Sequence, residues 1–228
     1  MTVITLEGIE IELPERLEGT AIASRLAEGR YETSEAAAVV GRVKPGMKVL
    51  EIGAGLGFVS SLCAKIAGAE NVVSVEANPD MVPVARANLD RNGFQDTQLL
   101  HGAVIDGDDL TSETIRFHAG RAFWGGAVLD GDAHHPDEIE VPILRLRDLL
   151  SLHRPRFVVM DIEGAEQYLF DRKWPRHVRF VVLELHLSKY PEHVLKKIVD
   201  CMSRSGLTYD PRTSQRRTLG FKRVPKQD

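Results

Sequence analysis

The chain has 228 residues, 43% of them hydrophobic and 27% charged, with a formal net charge of −4. That length suits one domain with a full core and is short for two. The negative balance excludes a global field for nucleic acid, no apolar run is long enough to span a bilayer, no basic-then-apolar leader opens the sequence, and Cys63 and Cys201 are too few for a disulfide framework, so a soluble, cytoplasmic protein with no membrane partner is expected.

Residues 3–13 alternate apolar and polar about Gly8, with Ile9, Ile11 and Leu13 on one face, which predicts a small hairpin stopped by Pro14. Helical spacing follows from Glu15 to Val43, broken around Gly29 to Thr33, and predicts two short helices. Residues 1–46 thus read as a hairpin-and-helix extension packed on a core domain of residues 47–228. MKVLEIG (47–53) follows the Pro45-Gly46 turn as a buried strand and leads through glycines into a helix. NVVSVEA (71–77) is a second strand, with Asn78 as N-cap, Pro79 at the first helical position and Asn92-Gly93 at the helix end. Pro83 lacks a backbone donor about one turn in, which predicts an irregular first turn or a later start.

TQLLHGAV (97–104), RFVVMDIEG (156–164) and RFVVLELHL (179–187) are three more strands, with helical stretches expected after the last two. Strands alternating with helices predict a doubly wound α/β fold around a mostly parallel seven-stranded sheet. Leu207 to Val224 supplies its antiparallel final strands, turning near Thr213 to Gln215. Between the third and fourth strands lies a polar insertion, residues 106–141, holding a strand pair, ETIRFHA and AFWGGAV, and a loop long enough to act as a lid. The basic tail residues Arg212, Arg216, Arg217, Lys222, Arg223 and Lys226 read as a solvated sheet edge.

The sharpest chemical signal is VLEIGAGLGF, where Gly53, Gly55 and Gly57 lie between a buried strand and a helix. Glycines there let the main chain approach a ligand at the carboxyl edge of the sheet. A dinucleotide fingerprint needs a further glycine at position 58, which is Phe58. Glu51 would repel a pyrophosphate and suits an ammonium group. Glu76 ends the second strand, where a carboxylate accepts hydrogen bonds from both hydroxyls of a ribose, assisted by Asn78. Glu51, Gly53, Gly55, Gly57, Phe58, Glu76, Asn78, Ala103 on the third strand and Asp161 on the fourth are the expected cofactor contacts, and S-adenosylmethionine the expected cofactor.

Asp161 and Glu163 close the fourth strand and Glu184 and His186 the fifth, each pair two apart and hence on one face while the strand continues. These four mark the acceptor side. His186 is the first candidate base, Asp161 the second, with Glu184 beside them as a catalytic group; Glu163 and, from the insertion, Arg121 and Trp124 are expected to touch the substrate. Asp161, Glu163, Glu184 and His186 also have the chemistry of magnesium or manganese ligands. Carboxylates at this edge equally hydrogen-bond cofactor or substrate, so no metal is assigned.

VLEIGAGLGF and VSVEANP look like the first two cofactor motifs of class I methyltransferases. Together with VPILRLRDLL, FVVMDIEGAEQYLF and VVLELH, the stretch from about 47 to 190 resembles the FkbM-type methyltransferases, most specifically through the D-x-E-G-x-E core of Asp161, Glu163, Gly164 and Glu166. The resemblance implies methylation of a hydroxyl on a sugar, natural product or other small molecule, hence a small-molecule or glycan acceptor. Nitrogen or carboxyl methylation, the latter with a cationic clamp such as Arg121 in place of a base, and a non-catalytic S-adenosylmethionine-binding regulator are the alternatives. A homo-oligomer is compatible with all of them.

Overall fold

The computed structural model describes residues 2–107, 110–118, 127–128 and 138–225, the pair 127–128 by backbone alone. The chain opens with the hairpin β1 (Thr2–Leu6) and β2 (Ile9–Leu13), whose turn at Glu7-Gly8 puts Ile9, Ile11 and Leu13 inward. Helices α1 (Ala21–Ala27) and α2 (Thr33–Arg42) follow, α1 capped by the Thr20 hydroxyl, which accepts from the Ala23 amide. Hairpin and helices share one apolar cluster with Phe58, Val59 and Leu62 of α3 (Phe58–Ala67). Each such buried aliphatic side chain contributes roughly 1.5–3 kcal/mol, so the extension is held to the core by packing.

The central sheet has seven strands in the order β12-β13-β11-β10-β3-β4-β5. β3 (Val49–Ile52) and β10 (Phe157–Met160) sit side by side at its centre, parallel and in register from Val49 against Phe157 to Ile52 against Met160. Both are apolar or internal at every position, as a strand covered on two faces must be. β4 (Val72–Glu76) and β5 (Gln98–His101) extend the sheet one way, β11 (Phe180–Glu184) the other. The chain direction therefore switches between β3 and β10, which opens a crevice at their carboxyl ends. β12 (Leu207–Tyr209) and β13 (Thr218–Arg223) complete the sheet antiparallel after α6 (Glu192–Arg204), as the fold class read from the sequence requires. Among the described residues no helix is long and apolar enough to cross a membrane.

Several expectations are corrected. α4 (Val82–Arg91) is capped at Met81, so Asn78 and Pro79 precede it instead of opening it; the later start that Pro83 predicts is found, with Pro83 in the first turn, where the missing donor has no intrahelical partner to lose. The third strand breaks at Gly102, so β6 (Ala103–Ile105) leaves the main sheet and pairs with β9 (Glu138–Arg145). β9 also pairs with β7 (Thr114–His118), and β7 with β8 (Ala127–Val128), making a separate four-stranded sheet from the insertion. Helix α5 (Leu146–His153) precedes β10, and the helix expected after that strand is one short turn, Ala165–Tyr168. The basic tail is not simply solvated: Arg223 donates to the carbonyls of Val178, Ser205 and Pro175, and Arg217 pairs with Glu184.

Candidate functional site

The crevice opens into a cavity of about 550 Å³ bounded by the ends of β3, β4, β10 and β11, by residues 30–35, and by Phe117 of the insertion sheet. Gly53, Gly55, Glu76, Ala103, Asp161, Glu163, Glu184 and His186 line it. Three of the five described non-glycine residues with left-handed backbone, Glu32, Glu163 and Arg216, line it too. Strain held in one place by surrounding structure marks a site rather than a chance depression.

The three loop glycines have different reasons. A Cβ on Gly53 would lie 2.0 Å from the Asp161 carbonyl oxygen, and one on Gly57 would lie 3.0 Å from the Ala85 carbonyl oxygen. Gly53 thus lets β3 meet the turn after β10, and Gly57 lets α3 meet α4. Gly55 lines the cavity with Gly53, and a Cβ there would have the Tyr31 hydroxyl and the Glu32 carboxylate as its nearest neighbours. The carboxylate of Glu76 accepts from the Gly55 amide at 2.8 Å and from the Asn78 amide at 2.8 Å, so it is fixed while still bordering the cavity.

Four expected cofactor residues do not reach the cavity. Glu51, 2% exposed, points beneath the loop and accepts from the Ser60 hydroxyl. Burial pushes its carboxyl up to about 7, with the Ser60 hydrogen bond pulling the other way. Phe58 is buried beside Tyr31 in the core, Gly57 serves helix packing, and the Asn78 side chain accepts from the Asp80 amide as a local cap. Their role is to shape the loop. Arg121 and Trp124 lie outside the described residues.

The acceptor side is brought together by turns instead of by strand alternation. β10 ends at Met160 and β11 at Glu184, so Asp161, Glu163 and His186 sit past the strands. Left-handed backbone at Glu163 and Gly164 folds the chain back toward His186. The imidazole Nδ1 lies 2.9 Å from Glu166 Oε1, and Nε2 lies 3.4 Å from both Asp161 Oδ1 and Glu163 Oε2. The His186 amide donates to the Tyr190 hydroxyl at 3.0 Å. Burial opposes a charge on the ring, but Glu166, Glu163 and Glu184 outweigh it and raise its pKa. Burial and then the neighbouring Glu184 and Glu163 hold the Asp161 carboxyl well above the usual carboxylate range. Glu184 is the group that stands apart, ion-paired with Arg217 at 2.8 Å.

Residues that the sequence reading missed come from the N-terminal segment and the tail. Tyr31, Glu32 and Glu35 line the cavity, and Glu35 accepts from the Thr218 hydroxyl, tying α2 to β13. Desolvation raises the carboxyl of Glu32 well above normal. The break in helical spacing at Gly29 to Thr33 was the available signal, read only as a boundary.

The family whose model matches this chain is protein-L-isoaspartate(D-aspartate) O-methyltransferase (PCMT), over residues 32–112. A protein-L-isoaspartate O-methyltransferase of Methanothrix thermoacetophila is 34% identical over 101 residues, which cover 41% of this chain and 48% of the relative. A ribosomal protein L11 methyltransferase of Burkholderia cenocepacia is 41% identical over 66 residues, 29% of this chain and 22% of the relative. The chain therefore spans about half the length, or less, of these curated relatives. Among solved structures, precorrin-6y C5,15-methyltransferase of Geobacter metallireducens is similar at a TM-score of 0.47 and 13% identity, over 92% of this chain and 90% of that one. The resemblance to FkbM-type methyltransferases is overturned by the family match. The segment that carried it, Asp161 to Glu166, lies outside residues 32–112, while the glycine loop and Glu76 lie inside.

Proposed function

We propose that this chain is an S-adenosylmethionine-dependent methyltransferase whose acceptor is a carboxylate on a protein. The observation that carries the first part is Glu76: a carboxylate fixed by two backbone amides at the end of β4, bordering the cavity beside Gly55 of the glycine loop. That arrangement suits a ribose, whose hydroxyls donate to the remaining lone pairs of the carboxylate. A Cβ at residue 55 would intrude on the same space, so the cradle fits the cofactor. Bound S-adenosylmethionine supplies a methyl group already activated by its sulfonium charge. The negative field of Asp161, Glu163 and Glu184 favours a cation at that edge, and most of the rate effect comes from holding donor and acceptor in line.

The protein carboxylate follows the relatives named for isoaspartate, and it fits the rim. Arg25, Arg30, Arg216 and Lys189 are among the residues lining the cavity and suit an anionic side chain. A carboxylate is nucleophilic as it stands and needs no base. The test is transfer of labelled methyl from S-adenosylmethionine to a peptide containing L-isoaspartate, with its L-aspartyl isomer as control. Base-labile label on the isoaspartyl peptide alone is expected. Unlabelled peptide despite intact binding of S-adenosylhomocysteine would end the carboxylate reading, and absence of that binding would end the methyltransferase reading as well.

One observation favours a second reading, methylation of a hydroxyl. The raised pKa of Asp161 gives a carboxylate whose proton affinity is closer to the working pH, as a general base requires. Label that survives alkali would select it.

A further inference from the structure

We propose that Asp161, Glu163 and His186 form a binding site for one divalent cation of the magnesium or manganese class, with Glu166 orienting the imidazole. One oxygen or nitrogen from each of the three lies within 4.8 Å of the others. His186 Nε2 is 3.4 Å from Asp161 Oδ1 and 3.4 Å from Glu163 Oε2. Ligands about 2.1 Å from an ion stand about 3.0 Å apart at a right angle and about 3.4 Å apart at a tetrahedral angle, so these separations leave room for an ion between them.

The hydrogen bonding points the same way. His186 is 6% exposed and Glu166 is fully buried. A carboxylate oxygen only accepts, so the 2.9 Å contact places a proton on Nδ1 and aims Nε2 at the two carboxylates. Nε2 makes no hydrogen bond among the described residues, and Asp161 Oδ1, the oxygen it faces, is buried without a hydrogen-bond partner. While the ring is neutral, the Nε2 lone pair and the two carboxylate oxygens converge without a hydrogen bond and repel one another, and a divalent ion between them removes that repulsion.

Among the described residues no lysine or arginine forms an ion pair with Asp161 or Glu163. Arg217 is committed to Glu184, and Lys189, which lines the same cavity, forms no ion pair among the described residues. Two carboxylates and an imidazole are the donor set that manganese or magnesium takes, in contrast to the thiolate sets of softer ions. The role of the ion rests on the carboxylate reading above: a positive charge among Asp161, Glu163 and Glu184 would offset the repulsion that an anionic acceptor meets there. Binding itself does not depend on that reading.

The test is titration of the full-length chain with Mn²⁺, read by the loss of the free-ion electron paramagnetic resonance signal, with and without S-adenosylhomocysteine. One bound ion per chain is expected. Glu163→Gln and His186→Ala abolish it, whereas Asp200→Asn, a solvent-facing position on α6, leaves it. Glu166→Gln weakens it about 10- to 100-fold. Calorimetric binding of S-adenosylhomocysteine at wild-type affinity shows that each variant is folded. A free-ion signal undiminished by the wild-type chain would overturn the site, as would Mn²⁺ binding unchanged in Glu163→Gln and His186→Ala. Mn²⁺ binding without peptide methylation would leave the site standing and end the carboxylate reading; methylation without Mn²⁺ binding would do the reverse.

Discussion

The two walls of the crevice use their polar groups differently. On the wall made by β3, β4 and the glycine loop, both oxygens of Glu76 are held by backbone amides and the Asn78 side chain by the next turn. On the wall made by the ends of β10 and β11, Asp161 Oδ1 and Glu166 Oε2 are buried without hydrogen bonds, and His186 Nε2 faces two acids. The first wall is complete as it stands and offers a fixed acceptor to a neutral hydroxyl-bearing ligand. The second leaves buried polar atoms unpaired, at the place that the proposed cation would fill.

The sharpest way to break this contrast is at the point where the walls touch. Gly53→Ala puts a Cβ against the Asp161 carbonyl at a residue with φ of +94°. It should lower the unfolding free energy by more than about 3 kcal/mol and abolish S-adenosylhomocysteine binding. Urea denaturation checks this, and a variant as stable as wild type would mean that the walls are independent.

The complete wall has two exceptions, Ser74 Oγ and, with the larger consequence, Glu51, whose Oε1 has no hydrogen-bond partner. Burial raises its carboxyl from 4.5 to about 7, so the folded state holds the proton more tightly than the unfolded one. Its contribution to stability is therefore undiminished below pH 4.5 and declines as the pH rises from 4.5 toward about 7. Glu51→Gln removes that decline and should be more stable than wild type by about 2–3 kcal/mol at about pH 8, with little difference in acid. Denaturation curves at the two pH values decide it; equal differences at both would show that Glu51 ionises freely.

The smallest effect is at the ribose side. Glu76→Gln keeps one accepting oxygen but sets an NH2 donor against the other backbone amide, that of Gly55 or Asn78. Binding of S-adenosylhomocysteine should weaken about 10- to 30-fold, with about 1–3 kcal/mol lost from stability, as calorimetry and urea denaturation would report. Unaltered affinity would remove Glu76 from the cofactor site.

The complete wall was largely legible in the sequence, because its signals are local. A buried strand, glycines at spacing two and an acid closing the next strand are consequences of short-range backbone geometry, and each lies where the pattern put it. What was misread there, the direct roles of Glu51 and Phe58, concerns which way a side chain points from a loop that curls through left-handed conformations. The other wall was legible in its residue types only. Asp161, Glu163, Glu184 and His186 were recognised as a group by strand alternation, yet the strands stop short of Asp161, Glu163 and His186, and turns bring those three together.

By itself the sequence determined the alternation of strands and helices, the antiparallel finish and the acid that closes the second strand at the crevice, since periodicity, turn residues and a glycine string report on neighbours a few positions apart. Only the tertiary structure decided that Glu35 would meet Thr218, that Tyr31 and Glu32 would wall the cavity, and that Glu166 would stand behind His186. Those pairings join segments as much as 183 residues apart, and they exist because burial of the central strands fixes where each loop emerges.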